Sequence, residues 1–401
     1  MMTQNILSVI DNQEIPEGYK KTEVGVIPND WIVRSIGDFA PLQRGFDLPS
    51  RLRVDGLYPV IYSNGFVNTH IEYKVKGPGI VTGRSGTIGK VHYVDQNYWP
   101  HNTSLWVTKF NEVDPKFIYF LFSKIGFERF SSGSGVPTLN RNDAHSFKIQ
   151  LPKSIDEQQK IATALSDTDA LIFELEKLIE KKQAIKTATM QQLLTGKTRL
   201  PEFALREDGT PKAYKESELG QIPEDWGVDK IGNTLSITTG SRNTQDKVND
   251  GTYPFFVRSQ NIERINTYSF DGEGVLTAGD GVGTGKIFHY INGKCDIHQR
   301  VYLMSNFKQT LDGYYFYIFF SNYFYDRIMS MTAKSSVDSV RREMIADMLI
   351  FLPSIKEQKK IASVIKNLFE EIEVLNIKLN KLLKIKQGMM QELLTGKTRL
   401  V

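Results

Sequence analysis

The sequence predicts an α+β protein: two mixed α/β modules joined by two long helices forming an antiparallel coiled coil, with a pseudo-twofold internal repeat. Three observations carry this reading. Leu193-Leu194-Thr195-Gly196-Lys197-Thr198-Arg199-Leu200 recurs letter for letter as Leu393 to Leu400. Glu157-Gln158-Gln159-Lys160-Ile161-Ala162 is matched by Glu357-Gln358-Lys359-Lys360-Ile361-Ala362. Upstream, Gly25-Val26-Ile27-Pro28-Asn29-Asp30-Trp31 is matched by Gly220-Gln221-Ile222-Pro223-Glu224-Asp225-Trp226. Self-similarity at a long period describes the whole plan, so it takes precedence over any local motif.

Each copy opens on its Gly-x-Ile-Pro-x-Asp-Trp landmark and continues into strands and turns. Tyr58-Pro59-Val60-Ile61-Tyr62 and Tyr253-Pro254-Phe255-Phe256-Val257 are β-branched and aromatic runs bounded by Gly, Asn and Asp. An aromatic helix follows in each, over Phe117 to Phe130 and Tyr314 to Ile328. The module is a twisted, partly antiparallel sheet with helical cover, and the second copy is a few residues longer.

The long helices come next. Ile161, Leu165, Thr168, Ile172, Leu175 and Ile179 step alternately by four and three. Ile361, Ile365, Leu368, Ile372, Leu375 and Leu379 keep the same steps, continuing through Leu382. That period marks a coiled-coil seam with charge on the other faces. At ~1.5 Å per residue, a helix over Glu157 to Thr195 is roughly 58 Å long. The first helix delivers the chain, through Pro201 to Lys215, to the second module, where the second helix starts. If the seams pair, the second runs back along the first, with a module at each end. Gly196 and Gly396 stop the helices, and Lys197, Arg199, Lys397 and Arg399 favour their negative poles. The predicted boundaries are residues 1–152 and 200–353 for the modules, the latter with its linker, and 153–199 and 354–401 for the helical regions.

Composition excludes several classes. With 50 basic and 46 acidic residues the net charge is +4, mildly favourable to a polyanion. A single cysteine, Cys295, excludes an internal disulfide or a multi-cysteine metal site and fits a reducing compartment. No apolar run approaches the ~20 residues that span a bilayer. Met1 to Tyr19 is polar and acidic, unlike a secretory signal. A cytoplasmic protein without a membrane association is expected.

Catalytic readings fail on spacing. Gly83 to Lys90 and Gly279 to Lys286 are glycine clusters at matched places, but neither has Walker A spacing. Val91 and Ile287 follow the lysines where Ser or Thr is needed, and a strand follows in place of a phosphate-binding helix. An amino-methyltransferase needs an Asn-Pro-Pro-aromatic type of motif, and no two prolines are adjacent. No Ser/His/Asp, Cys/His or metal-ligand spacing stands out, so neither a catalytic nor a metal site is predicted.

Basic and amide residues cluster instead on loops between strands: Arg44, Asn64, Arg84, Lys90, Asn102, Asn140 and Arg141 in the first module. The second has Arg258, Gln260, Lys286, Gln299, Arg300, Lys334, Arg341 and Arg342. Arg, Asn and Gln present paired donors and acceptors that fit guanine and adenine edges in the major groove. A solvated loop explains any one of them better, so the candidacy rests on the clustering, and the glycine clusters equally fit tight turns.

Four motifs in this order, with the helix openings and helix ends present in both copies, make the chain resemble the specificity subunits of Type I restriction-modification systems. These are Leu219-Gly220-x-Ile222-Pro223-x-x-Trp226, Arg258-Ser259-x-Asn261-Ile262, the Pro-x(2–4)-Glu-Gln-x-x-Ile-Ala helix openings and the Leu-Leu-Thr-Gly-Lys helix ends. The resemblance covers nearly the whole chain. It implies two target-recognition domains, each reading half of a bipartite, asymmetric site in double-stranded DNA. It further implies docking of two methyltransferase subunits, with motor-nuclease subunits joining for restriction. S-adenosylmethionine, ATP and Mg2+ would then belong to those partners, with no cofactor in this chain. The helix length would set the spacer between half-sites. A stand-alone or fused methyltransferase and a coiled-coil assembly protein with no nucleic-acid role are the rival readings.

Overall fold

The computed structural model describes residues 15–132, 137–331 and 339–401. The chain folds as two compact units, one of Met1–Lys177 with Ile377–Val401 and the other of Leu178–Asn376.

In the first unit, strands Tyr19–Thr22 and Gly25–Pro28 form a hairpin, with Gly25 at φ +116° where a side chain would be strained. Trp31–Ser35 then pairs antiparallel with Lys148–Pro152, which brings the end of the sheet region beside its start. Between them lies a four-stranded antiparallel sheet in the order Leu42–Arg44, Ser104–Val107, Gly79–Gly83, Val91–Val94. A smaller sheet orders Gly65–His70, Tyr58–Tyr62 and Trp99–Pro100, the last pair parallel. The aromatic helix is Pro115–Ile125, capped by the Asp114 carboxylate on the Phe117 amide at 2.8 Å, with proline at its first position. It ends earlier than Phe130 because Gly126 turns to φ +70°; Phe127–Phe130 continue as a short 3-10 turn. Its inner face drives Phe117, Ile118, Phe120, Leu121 and Phe122 into a core with Ile80 and Leu105.

The second unit repeats the plan with Tyr214–Ser217 against Gly220–Pro223, and Gly227–Lys230 against Leu349–Leu352. Its sheet is a single six-stranded layer: Ser236–Thr239, Val301–Ser305, Phe270–Ala278, Phe288–Ile297, Tyr253–Phe256, Glu263–Ile265. Phe288–Ile297 is long enough to pair antiparallel with Phe270–Ala278 and then parallel with Tyr253–Phe256. In the first unit the same course is broken into Val91–Val94 and Trp99–Pro100, so two sheets result. The aromatic helix Gly313–Ser330 is capped by Asp312 on the Tyr315 amide at 3.0 Å.

The long helices are Ile155–Leu194 and Ile355–Leu393, 40 and 39 residues. Within the first unit, Thr168 meets Met389 and Asp169 pairs with Lys386 at 2.5 Å. Within the second, Lys182 pairs with Glu371 at 2.7 Å and Lys186 lies over the Phe369 ring. Numbers rise on one helix as they fall on the other, so the halves are antiparallel in each unit. Of the seam positions, Ile161, Leu165, Ile361 and Ile365 sit in the module cores themselves. Ile172, Ile372 and Leu375 are buried, and Leu175, Ile179, Leu368, Leu379 and Leu382 are half-buried.

The repeated letters meet in one construction, built once in each unit. The Trp31 indole donates to Glu157 at 3.2 Å, and Arg399 grips Glu157 (2.6 and 2.9 Å) and Asp30 (2.9 and 2.6 Å). Trp226, Glu357, Arg199 and Asp225 repeat this, with Trp226 donating to Glu357 at 3.1 Å. Gln158 accepts from the Asp114 amide and donates to the Pro152 carbonyl; Gln358 does the same at Asp312 and Pro353. Gly196 and Gly396, at φ +71° and +76°, end the helices, and a side chain on Gly396 would strike Pro28 and Trp31. Arg199 and Arg399 do not serve their own helix ends as the sequence suggested. The turn after each glycine swings them onto carboxylates far away in the chain.

The Arg399 hydrogen bond holds the Asp30 carboxyl below its ordinary value. A depressed carboxyl stabilises the fold fully above the unfolded pKa of ~4 and loses that contribution as pH falls through the lower folded value. The Asp30 side chain is 61% exposed, so the effect is about 1 kcal/mol at most. Acid titration of the first unit's unfolding should show this slope in the parent and not in Asp30→Asn.

Candidate nucleic-acid interface

Loops from separate strands are stitched together at one edge of each unit. In the first, Phe46 bridges to His101, whose amide donates to the Ile61 carbonyl at 2.8 Å. The Arg84 amide donates to Thr103, Leu139 donates back to Arg84, and Ser85 bridges to Thr138. These contacts gather the loops carrying Arg44, Asn64, Arg84, Asn102, Asn140 and Arg141. In the second unit, Arg242 bridges to His298, whose amide donates to Phe256 at 2.9 Å. Gly279 donates to Arg300, Val340 to Gly279, and Asp280 bridges to Ser339. That gathers Arg258, Gln260, Gln299, Arg300, Arg341 and Arg342. Lys334 lies outside the described residues.

Two candidates stand apart. The Lys286 ammonium sits 5.0 Å over the Tyr325 ring of the aromatic helix. Lys90 follows Gly89, where any side chain would collide with Glu128 on the helical side of its unit.

The gathered side chains differ in how they are held. Asp47 accepts from Arg44 at 3.0 Å and also from Asn102. Asn140 caps helix Arg141–Ser146 by accepting from the Asn142 amide, which leaves its NH2 outward. Gln299 donates to Asn243 at 2.6 Å, and Asp280 takes Arg258 at 2.7 Å and Arg300 at 3.4 Å. Asn64, Arg141, Gln260, Arg341 and Arg342 are exposed, and Arg84 is half-buried. Burial pushes His101 and His298 below the ordinary imidazole value, so both rings are neutral at pH 7. His298 uses Nδ1 to accept from the Arg300 amide, fixing that loop. Such an edge offers fixed arginine and amide groups to a polar, anionic surface; among the described residues no cluster of His, Cys, Asp and Glu is arranged to hold a metal.

Asp47, Asn243 and Asp280 were not candidates, because a lone acid or amide in a loop reads as a turn. The strand pairing also shifts the glycine clusters. Ser104 pairs with Gly83, whereas Val301 pairs with Ala278, so Arg84 corresponds to Gly279 and Ser85 to Asp280. Aligning the clusters glycine to glycine misplaces them by one residue, because the letters carry no record of the strand partner.

Burial pushes the Cys295 thiol up to about 12, so it is un-ionised at neutral pH. No helix among the described residues is long and apolar enough to cross a membrane.

The family model of the Type I restriction modification DNA specificity domain matches residues 28–187 and again 223–384. The chain is 26% identical, over 96% of its own length and 96% of the other's, to the Type I restriction enzyme MjaVIII specificity subunit of Methanocaldococcus jannaschii. It is 28% identical to the EcoDI specificity subunit of Escherichia coli over 44% of this chain and 38% of that one. A solved S subunit of a Type-I restriction-modification system from M. genitalium shares the fold at TM-score 0.69 and 14% identity, covering 95% of this chain and 98% of that one.

Proposed function

The chain belongs to the Type I restriction modification DNA specificity family, and from that premise we propose that each unit reads one half of a bipartite, asymmetric site in double-stranded DNA. As a specificity subunit it recognises DNA and is not itself the catalyst. The repeated frame carries two methyltransferase subunits, which methylate adenine, and motor-nuclease subunits join to restrict. S-adenosylmethionine, ATP and Mg2+ act on those partners.

One observation supports this most directly. The Trp-Glu-Arg-Asp construction is the same in both units, while the loops gathered at their edges differ in chemistry. The first unit packs the Tyr62 ring on His101, and the second pairs Arg258 with Asp280. A constant frame with divergent edges suits common partners and two unlike half-sites.

The test maps methylated adenines in DNA treated with the purified methyltransferase complex of this chain. The expected motif is bipartite, and exchanging residues 227–351 for those of another family member changes one half and leaves the other. Equal binding of a random duplex and a site-bearing duplex overturns the reading.

A further inference from the structure

Three equivalent edge positions carry Ser63, Ser85 and Thr103 in the first unit and Arg258, Asp280 and Arg300 in the second. The equivalence rests on matched contacts. The His101 and His298 amides donate to Ile61 and Phe256, two residues before the first position, and the Arg84–Thr103 and Gly279–Arg300 bonds fix the others. An uncharged trio has thus become one acid between two arginines, on the same backbone frame. The first unit closes that frame without the ionic trio, so folding does not require it.

The geometry also leaves the arginines incompletely used. Arg258 and Arg300 each offer one Nη1 to opposite oxygens of Asp280, and remain 43% and 64% exposed while Asp280 is 21% exposed. A guanidinium has five donors, so each keeps a free edge that can take the O6 and N7 of a guanine together. Their backbones are pinned as well. Arg300 is held by Gly279 and His298, and a side chain on Gly279 would press on the Arg300 carbonyl and the Tyr302 ring. Gly281, at φ +88°, turns the acid's loop. Two long side chains that normally lose much rotamer freedom on binding are therefore set beside each other beforehand.

We propose that Asp280 is a positioning residue for base readout, holding Arg258 and Arg300 as a preset pair for two neighbouring guanines in the half-site of the second unit. Neighbouring bases on one strand rise by ~3.4 Å, and a single carboxylate places two guanidiniums side by side on that scale. This rests on the DNA-recognition reading above.

The test is a per-base preference profile from a randomised duplex library, using the assembled methyltransferase complex with parent, Asp280→Asn and Asp280→Glu chains. In the parent, two adjacent positions of one half-site prefer guanine by about 5- to 100-fold each. Asp280→Asn relaxes both by about 10-fold, Asp280→Glu regains part of the preference, and the other half-site and the melting temperature do not move. Three outcomes overturn the proposal while leaving the recognition reading in place. They are an unchanged profile in Asp280→Asn, an equal loss at all positions as phosphate contacts would give, and a switch to a new base as direct reading by Asp280 would give. A parent complex that discriminates no duplex overturns both.

Discussion

Deleting residues 394–401 unfolds the first unit and spares the second, although the deleted residues follow the second in sequence. Leu394 is fully buried in the first unit's core, and truncating a buried leucine costs about 2–5 kcal/mol. Losing Arg399 strands Glu157, a carboxylate with 2% of its side chain exposed, and an uncompensated buried charge costs about 3–5 kcal/mol. The Tyr19 hydroxyl also loses its acceptor at the Gly396 carbonyl. Together these approach the ~5–15 kcal/mol that holds a domain folded. Hydrogen exchange resolved by peptide checks it. Trp31–Ser35 and Lys148–Pro152 should lose protection while Phe270–Ala278 and Phe288–Ile297 keep theirs. Equal loss in both units, or none in the first, would contradict the expectation.

Arg199→Met destabilises the second unit toward the upper end of about 3–5 kcal/mol, and Arg399→Met destabilises the first toward the lower end of that range. The Arg199 side chain is 5% exposed and Glu357 1%, whereas Arg399 is 21% exposed and better able to share its charge with water. Burial raises the Asp225 carboxyl, but hydrogen bonds from Arg199 and Lys212 outweigh it and hold the group below its ordinary value. With methionine in place of the arginine, Glu357 keeps the Trp226 indole but no counter-ion. The double variant Arg199→Met/Glu357→Gln should recover much of the loss, since an amide still accepts from the indole without a buried charge. Unit-resolved unfolding in urea measures all three chains. A single-variant loss within about 1 kcal/mol, the range of an exposed pair, would show that the arginine is no buried partner.

These two expectations mark where the letters stopped being informative. The two-module plan and its helices were legible because identical words recur and because apolar residues alternate by three and four. The arginine at the end of each repeat was visible too, but its role was not. Glu157 lies 242 positions from Arg399, and no local rule connects them. A nearer explanation, the helix end, was available and was wrong. The sheets were legible as strands but not as one layer or two, since that depends on whether the course through Val91–Val94 runs straight or breaks. Loop residues such as Arg44, Arg258 and Arg300 stood out by type, while the groups that hold them, Asp47 and Asp280, did not. Acids in loops are common, and only three-dimensional closure distinguishes a turn from a clamp.

The first unit is closed by residues made after the whole of the second. A ribosome that has reached Asn376 has synthesised every residue of the second unit, but the first still lacks Ile377–Val401. At ~5–20 residues per second that interval is on the order of seconds. During it the Glu157 carboxylate has no arginine, and the core position of Leu394 is vacant. The module made first is therefore the module finished last. A chain released early would carry a complete second unit and an open first one.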